Sequence, residues 1–215
     1  MIFFGISTQK FEANIPLLFA QVLVLVYLLA YVVVFLYSLL WVKNRGKDPK
    51  GTTHQYGRLA EFSSLFTFLW LLIMLLYAFL PDFFVFVFPL PSLMSDPWII
   101  CGLVIIAIGL VVETASMFTL GENFRIAFPR EETTLVTHGI YRTVRNPIVL
   151  SVFLFVIGTF LVCPNLLTLV NLIGNLITFN AKATDEERFL AERFGSEWNA
   201  YVRHSGKYLP IFYRK

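Results

Sequence analysis

Charged residues are scarce in this chain: they make up 14% of its 215 residues, against roughly 25% in soluble domains. Hydrophobic residues make up 57%, and a shortage of charge combined with long apolar runs is typical of membrane proteins. The formal net charge of +3 is too small to favour a nucleic-acid-binding protein. We therefore interpret residues 1–215 as a single integral membrane domain.

Cysteine is almost absent as well. Cys101 and Cys163 are the two copies, and both lie in apolar runs, so they suggest neither a disulfide framework nor a zinc site. We predict no metal centre. We also expect no cleavable signal peptide, because the first apolar run, residues 13–42, is longer than the roughly 7–15 residues of a signal-peptide core.

Three long apolar runs each predict one transmembrane helix: residues 13–42, 62–80 and 97–118. Each is close to or above the roughly 20 residues that a spanning helix needs. The segment 81–96 between the second and third runs contains prolines but no lysine or arginine. We expect its aromatic run, residues 83–88, to lie at the membrane interface.

The next uncharged run, residues 146–181, is too long for one span. Its 36 residues would form a helix of about 54 Å at about 1.5 Å per residue, and the hydrocarbon core is only about 30 Å thick. Because proline breaks helices, we predict a hairpin that turns at Cys163-Pro164-Asn165, with short spans at 148–162 and 165–181. The fold class is therefore all-α: a polytopic membrane protein with five transmembrane helices.

Basic residues predict the orientation of these spans. With five spans, the segments 43–61, 119–146 and 182–215 share one side and hold 5, 4 and 7 lysines and arginines, 16 of the 17 in the chain. The positive-inside rule then predicts an outside N-terminus and a cytoplasmic C-terminus. We expect a plasma (inner) membrane in a prokaryote or the endoplasmic reticulum in a eukaryote.

The C-terminal segment has the pattern of an amphipathic helix. Leu190, Phe194, Trp198 and Tyr201 recur at helical spacing, so they predict one apolar face lying against the membrane surface or the hairpin. We divide the chain into two N-terminal spans, residues 1–96, and a core, residues 97–215.

Three polar features converge on the predicted cytoplasmic face. These are the loop with Arg142 and Arg145, the pair Glu186 and Glu187, and a stripe along the fifth span. The stripe has helical spacing and consists of Thr168, Asn171, Asn175, Thr178 and Lys182. Polar residues within a membrane usually face a neighbour or a cavity, so we predict a polar site here.

Each feature also has a purely structural explanation. Thr184 and Glu187 match a capping box at the start of a new helix, and Glu186 could complement that helix's dipole. The arginines could be membrane-side anchors, the asparagine stripe could join helices, and Glu113 could extend to the interface or pair with an arginine.

Three motifs resemble those of the isoprenylcysteine carboxyl methyltransferase and phospholipid methyltransferase superfamily. Residues 139–147 read Gly-Ile-Tyr-Arg-Thr-Val-Arg-Asn-Pro and resemble the signature G-x-Y-x-x-x-R-H-P. Residues 186–201 resemble the family's E-E-x-x-L-x-x-x-F-G ending, and residues 120–124 resemble its L-G-x-N-W stretch. The likeness covers roughly residues 100–212.

The resemblance implies an enzyme that uses S-adenosylmethionine to methylate a lipophilic acceptor at the cytoplasmic face. By motif position it implies cofactor contacts at Gly139, Tyr141, Arg145, Asn146, Pro147, Glu186 and Glu187. From this set and the neighbouring arginine we predict Arg142, Arg145 and Glu186 as catalytic residues. Asn146 stands where the signature has histidine, and Trp198 stands where the family's ending, E-E-x-x-L-x-x-x-F-G-x-x-Y-x-x-Y, has its first tyrosine. Asn146 cannot titrate near neutral pH.

The acceptor stays open among a prenylated cysteine carboxyl, which we favour, a phospholipid amine and a small thiol. Candidate acceptor-binding residues are Arg125, Asn171, Asn175 and Arg203, because arginine binds carboxylates through paired hydrogen bonds. Beyond membrane lipids we expect no nucleic acid and no obligate protein partner. Two alternatives are an NADPH-dependent sterol or enone reductase of related fold, whose R-H-x-x-Y-x-G-E stretch is not matched at 145–152, and a non-enzymatic membrane scaffold.

Overall fold

A computed structural model describes residues 17–51, 56–127 and 134–211. This part of the chain is almost entirely helical and contains no strand beyond two isolated bridges, which confirms the all-α class. Its α-helices, in chain order, are α1 Leu17–Asn44, α2 Arg58–Glu61, α3 Ser63–Phe79, α4 Asp96–Leu120, α5 Pro147–Val162, α6 Leu166–Phe194 and α7 Ser196–His204.

Four stretches among the described residues are long and apolar enough to cross a membrane: Leu17–Asn44, Arg58–Phe79, Asp96–Asn123 and Leu166–Phe194. The fifth predicted span, α5, is apolar but has only 16 residues, about 24 Å at about 1.5 Å per residue. The polytopic membrane class is therefore confirmed, and α5 is the short member of the bundle.

Helices α4 and α5 pack together through glycines. A Cβ atom on Gly158 would lie 2.6 Å from Cγ1 of Ile106 and 2.7 Å from the carbonyl oxygen of Gly102. A Cβ on Gly109 would lie 3.0 Å from the ring of Phe155. Without a driving force from water, close backbone approach of this kind is a main source of helix association in membranes.

The polar stripe on α6 mainly joins helices or serves the helix itself. Nδ2 of Asn171 donates to the carbonyl oxygen of Phe66 on α3 at 2.9 Å, and Nδ2 of Asn175 donates to the carbonyl of Asn171 at 2.9 Å. Thr168 and Asn165 form a capping box at the start of α6. Most of the stripe therefore supports packing, as its structural explanation expects.

The hairpin turn lies against the connection between α3 and α4. The backbone N–H of Leu90 donates to the carbonyl of Pro164 at 2.9 Å, and that of Leu166 donates to the carbonyl of Phe88 at 3.2 Å. We call this end of the bundle the turn end. At the opposite end, α1 ends at Asn44, α4 ends at Leu120 and α5 begins at Pro147. We call this end the site end.

Helix α6 corrects two boundaries. It continues 13 residues beyond the predicted end at 181, because no proline or terminal glycine interrupts the chain before Gly195. The prediction of a cap at Thr184 is wrong: Oγ1 of Thr184 donates to the carbonyl of Asn180 at 2.8 Å inside the helix. At about 1.5 Å per residue, this helix of 29 residues is about 44 Å long, more than the roughly 30 Å of a hydrocarbon core, and its last turns carry Glu186 and Glu187.

The single amphipathic helix predicted near the C-terminus is two helices. Leu190 and Phe194 belong to α6, whereas Trp198 and Tyr201 belong to α7. Gly195 adopts a φ of +50° between them, a backbone conformation that side chains rarely allow. The predicted apolar face is therefore interrupted at Gly195.

We predict that Gly158→Ala lowers the free energy of unfolding by about 1–3 kcal/mol, the usual cost of overpacking a close contact. The added methyl group would meet Ile106 and the backbone of Gly102, and neither can withdraw without moving α4. Thermal unfolding of the purified protein in one detergent measures this. Ala115→Leu is the control because Ala115 is exposed on α4; equal unfolding temperatures for both variants would contradict the tight contact.

Candidate active site

Two segments distant in sequence pair at the site end of the bundle. Residues 143–146, which precede α5, run parallel to residues 205–207, which follow α7, with a bridge between Val144 and Gly206. The N–H of Gly206 donates to the carbonyl of Thr143 at 2.9 Å, and the N–H of Arg145 donates to the carbonyl of Gly206 at 2.8 Å. This pairing fixes the backbone of the signature loop.

Glu187 then fixes the side chains of that loop. Its Oε1 accepts hydrogen bonds from Nε of Arg145 at 3.0 Å and from Nδ2 of Asn146 at 2.8 Å. Nη1 of Arg145 also donates to the carbonyl of Ser205. The side chains of Arg145 and Glu187 are 11% and 20% exposed, so solvent screens this ion pair less than a surface pair. We call Arg145, Asn146 and Glu187 the clamp.

Glu186 points to a different neighbour. Its Oε1 accepts a hydrogen bond of 2.6 Å from the hydroxyl of Tyr56, and the adjacent Asp185 accepts one of 2.8 Å from the N–H of Gly57. Burial, and then the charge of Glu186, raise the pKa of Tyr56 well above its usual value, so this phenol remains a neutral donor. The segment before α2 is thereby attached to the polar end of α6.

Tyrosines and a tryptophan complete the wall of the site. The hydroxyl of Tyr201 donates to the carbonyl of Tyr141 at 2.6 Å, and burial raises the pKa of Tyr201 to about 12. Burial also raises the pKa of Tyr141, with further contributions from the charges of Glu113 and Glu186. The Trp198 ring lies 5.6 Å from that of Tyr201 and is buried.

One cavity of about 470 Å³ connects these groups to the interior of the bundle. Its polar end is lined by Arg125, Tyr141, Arg145, Asn146, Lys182, Glu186 and Trp198, and its apolar part by Tyr31, Trp70, Ile148, Val152, Phe155 and Val156. Polar groups that could hold a charged cofactor and a surface for a hydrocarbon chain thus share a single space.

Aromatic rings close the apolar part. The Tyr31, Trp70 and Phe155 centroids lie 5.3 to 5.5 Å apart, and Nε1 of Trp70 donates to Oγ1 of Thr159 at 2.9 Å. Between this cluster and Tyr141 the cavity is lined by Glu113 of α4, which is 2% exposed and hydrogen-bonded to Ser151. The expectation that Glu113 extends to the interface is wrong, because the residue is enclosed between helices.

Six of the residues predicted from sequence line this cavity: Arg125, Tyr141, Arg145, Asn146, Asn175 and Glu186. Six others do not: Gly139, Arg142, Pro147, Asn171, Glu187 and Arg203. Arg142 and Arg203 are exposed, and Asn171 is bonded to α3. Gly139 packs against Thr119, Pro147 begins α5, and Glu187 acts through the clamp.

The sequence analysis missed two groups of the site. Tyr56 had no signal, because it lies in a polar loop 130 positions from its partner Glu186. Asp185 was not singled out, because it lies between Thr184 and Glu187, which match a capping box. Lys182 was recognised as a member of the stripe, and its Nζ in fact donates to the carbonyl of Ile126 at 2.9 Å.

Asn146, which stands where the signature has histidine, has a defined structural role. Asn146 is buried, and its amide donates to Glu187, while its backbone N–H donates to the carbonyl of Lys207 at 3.1 Å. A neutral amide can fill this donor role without titrating. Within the described ranges no group of three or more His, Cys, Asp or Glu residues could hold a metal ion.

Comparison with known proteins connects this geometry to a family. Residues 97–197 match the family model described as phospholipid methyltransferase. The chain is 32% identical over 112 residues to a probable protein-S-isoprenylcysteine O-methyltransferase of Oryza sativa subsp. indica, covering 49% of this chain and 58% of that protein. It is 31% identical over 126 residues to the Homo sapiens protein-S-isoprenylcysteine O-methyltransferase, covering 56% and 44%.

The chain therefore spans about half the length of the curated relatives it matches. The solved structure of a eukaryotic intramembrane Ras methyltransferase, isoprenylcysteine carboxyl methyltransferase, aligns with 71% of this chain and 51% of that chain at 24% identity. Its TM-score is 0.49, so this likeness adds nothing to the sequence matches.

We predict that Glu187→Ala loosens the signature loop. The change removes two hydrogen bonds from partly buried donors, and each charge-assisted bond contributes roughly 1.5–3 kcal/mol. Hydrogen–deuterium exchange should rise at residues 143–146 and 205–207 while the hairpin turn keeps its protection. Glu192→Ala is the matched control, because Glu192 is an exposed carboxylate on the same helix. Unchanged exchange in the Glu187 variant would contradict the role of the clamp.

Proposed function

We propose that this membrane protein transfers a methyl group from S-adenosylmethionine to a lipophilic acceptor, because residues 97–197 match the phospholipid methyltransferase model and the chain is similar to isoprenylcysteine O-methyltransferases. The observation that carries the proposal is the single cavity of about 470 Å³, which joins a charged end to an aromatic, apolar part. A polar cofactor and a hydrocarbon-bearing acceptor could meet there, shielded from bulk water.

The residues at the polar end fit such a cofactor. Glu186 uses Oε1 to accept from Tyr56, and no described residue donates to its Oε2, so a carboxylate oxygen is available for a cation or for ribose hydroxyls. Arg145 and Asn146 add donors, and Tyr141 and Trp198 add ring surfaces. A zwitterionic, hydroxyl-bearing, aromatic molecule matches this set of groups.

We assign direct contacts with the cofactor to Tyr141, Arg145, Asn146 and Glu186. Gly139, Pro147 and Glu187 are positioning residues in this proposal, because they shape the loop or the clamp and do not line the cavity. When bound, S-adenosylmethionine supplies an activated methyl group. The chain's own contribution is orientation and exclusion of water, which are the main requirements of an in-line displacement.

The acceptor that we favour is a carboxyl group of the isoprenylcysteine type. The relatives named above act on protein-S-isoprenylcysteine by name. A carboxylate is already nucleophilic, so no base is required. Arg125 and Lys182 line the polar end and are the cations suited to orient it, while the Tyr31, Trp70 and Phe155 cluster suits an isoprenoid chain.

We further propose that the site end of the bundle faces the cytoplasm. Among the described residues, every lysine and arginine lies in segments at this end, which supports a cytoplasmic position by the positive-inside rule. In this arrangement the turn end faces outward, and a water-soluble cofactor enters the cavity from the cytosol.

We predict that Glu186→Gln weakens S-adenosylmethionine binding by about tenfold or more, because a hydrogen bond to a charged group contributes roughly 1.5–3 kcal/mol. Equilibrium titration of the detergent-purified protein measures the affinity, and Glu192→Gln serves as the control. The amide can still accept from Tyr56, so the fold should persist.

The same titration with NADPH separates the leading proposal from the reductase alternative. Binding of NADPH without S-adenosylmethionine would overturn the proposed function, and binding of neither cofactor would favour the scaffold. Binding of S-adenosylmethionine that the Glu186 change leaves unaltered would remove Glu186 from the cofactor set.

We predict that a cysteine at Phe86 reacts from outside the cell and a cysteine at Asn199 reacts only from the cytoplasm. Phe86 is 83% exposed at the turn end, and Asn199 is exposed on α7 at the site end. Both are introduced in a Cys101→Ala, Cys163→Ala background, and a membrane-impermeant maleimide is applied to intact and opened cells. The reverse labelling pattern would overturn the orientation.

A further inference from the structure

Glu113 is a carboxyl group in the middle of a membrane-spanning helix that the methyl transfer proposed above does not require. It is 2% exposed, it lines the cavity, and its Oε2 lies within hydrogen-bond distance of Oγ of Ser151. Among the described residues no lysine or arginine forms an ion pair with it. An ionised carboxylate enclosed in this way would be costly.

The hydrogen bonds around Ser151 indicate the state of Glu113. Oγ of Ser151 contacts two acceptors, Oε2 of Glu113 and, at 2.6 Å, the carbonyl oxygen of Ile148. A hydroxyl carries one proton and can donate to only one of them. Both contacts are satisfied when Glu113 is protonated, since it then donates to Ser151 and Ser151 donates to Ile148.

This arrangement leaves Oε1 of Glu113 as a hydrogen-bond acceptor, because no described residue donates to it. A second acceptor lines the same cavity: Oδ1 of Asn175 is buried and has no hydrogen-bond partner. The amide nitrogen of Asn175 is occupied by the carbonyl of Asn171. Buried polar atoms are nearly always paired in native proteins, so the buried Oδ1 of Asn175, together with Oε1 of Glu113 in the same cavity, suits a ligand that brings hydrogen-bond donors.

The cations of the cavity do not meet this need. Nη1 of Arg125 donates to the carbonyls of Glu122 and Phe124 at 2.7 Å, Lys182 donates to that of Ile126, and Arg145 belongs to the clamp. All three lie at the polar end. Glu113 lines the cavity between them and the aromatic cluster.

We propose that Glu113, oriented by Ser151, is a specificity-determining residue that accepts a hydrogen bond from a nitrogen of the acceptor next to its methyl-accepting group. This inference rests on the proposed function and deepens it. The acceptor would present its carboxylate to the polar end, its N–H to Glu113 and its hydrocarbon chain to the Tyr31, Trp70 and Phe155 cluster. Oδ1 of Asn175 is the second group that could accept a hydrogen bond from the same N–H.

Three compounds test this without methyl transfer. N-acetyl-S-farnesylcysteine carries an amide N–H, S-farnesylcysteine carries an ammonium group, and S-farnesyl-3-mercaptopropionic acid has the same chain and carboxylate but no nitrogen. Their dissociation constants are measured on the detergent-purified full chain in the absence of cofactor. We expect at least one nitrogen compound to bind about tenfold more tightly than the nitrogen-free compound, the effect of leaving a buried polar group unpaired.

Substitutions then test whether Glu113 causes the tighter binding of the nitrogen compounds. Glu113→Leu should reduce it to less than threefold while leaving the affinity for the nitrogen-free compound unchanged. Glu113→Gln retains an acceptor oxygen and should keep the preference for the amide, but it should lose any extra affinity for the ammonium compound. Ser151→Ala, which leaves Glu113 in place, should lower the preference partially. Met117→Leu changes an apolar residue of the same cavity and should have no effect.

Tighter binding of the ammonium compound than of the amide would identify an ion pair, formed as Glu113 releases its proton to solvent, and the opposite order would identify the neutral carboxyl as acceptor. Equal wild-type affinity for all three compounds, no binding of any, or a preference that survives Glu113→Leu would overturn the inference. Failure of the proposed function itself shows separately, as absent S-adenosylmethionine binding and absent methyl transfer to compounds that do bind.

Discussion

The site depends on one carboxylate, that of Glu187, which connects three distant parts of the chain. By accepting from both Arg145 and Asn146 it ties the loop before α5 to the end of α6, and Arg145 extends the connection to Ser205 after α7. Glu186, one residue earlier, is thereby left facing the cavity and Tyr56. Adjacent residues on a helix point about 100° apart, so one of the pair holds the loop and the other faces the ligand space.

Much of this arrangement could be predicted from the sequence, because the membrane simplifies the problem. Uncharged runs of known length must cross it or fold back, and the α5–α6 hairpin followed from length and one proline. The motifs predicted which segments meet, and the hydrogen bonds from Arg145 and Asn146 to Glu187 bring those two segments together. The division of work between Glu186 and Glu187 could not be predicted, since either glutamate could have contacted the loop.

The errors share a physical cause. Thr184 has the local pattern of a helix start, but it lies inside α6, which begins at Leu166 and is packed on α3. Tyr56 and Glu113 have partners 130 and 38 positions away, and no local periodicity reports such contacts. Polar side chains inside the bundle were correctly expected to face neighbours or a cavity, but only the packing decides which of the two applies to Asn171 and which to Asn175.

The unbroken α6 helix also links the candidate site to the thickness of the membrane. From Asn171, where it is bonded to α3, to Glu186 the helix acts as a rigid lever of about 22 Å at about 1.5 Å per residue. A change in tilt of about 2°, well within what bilayer thickness can impose, would displace Glu186 by about 0.8 Å. Displacements of that size are enough to alter alignment in a displacement reaction. Lipid chain length is therefore mechanically coupled to the geometry at the opposite end of this helix.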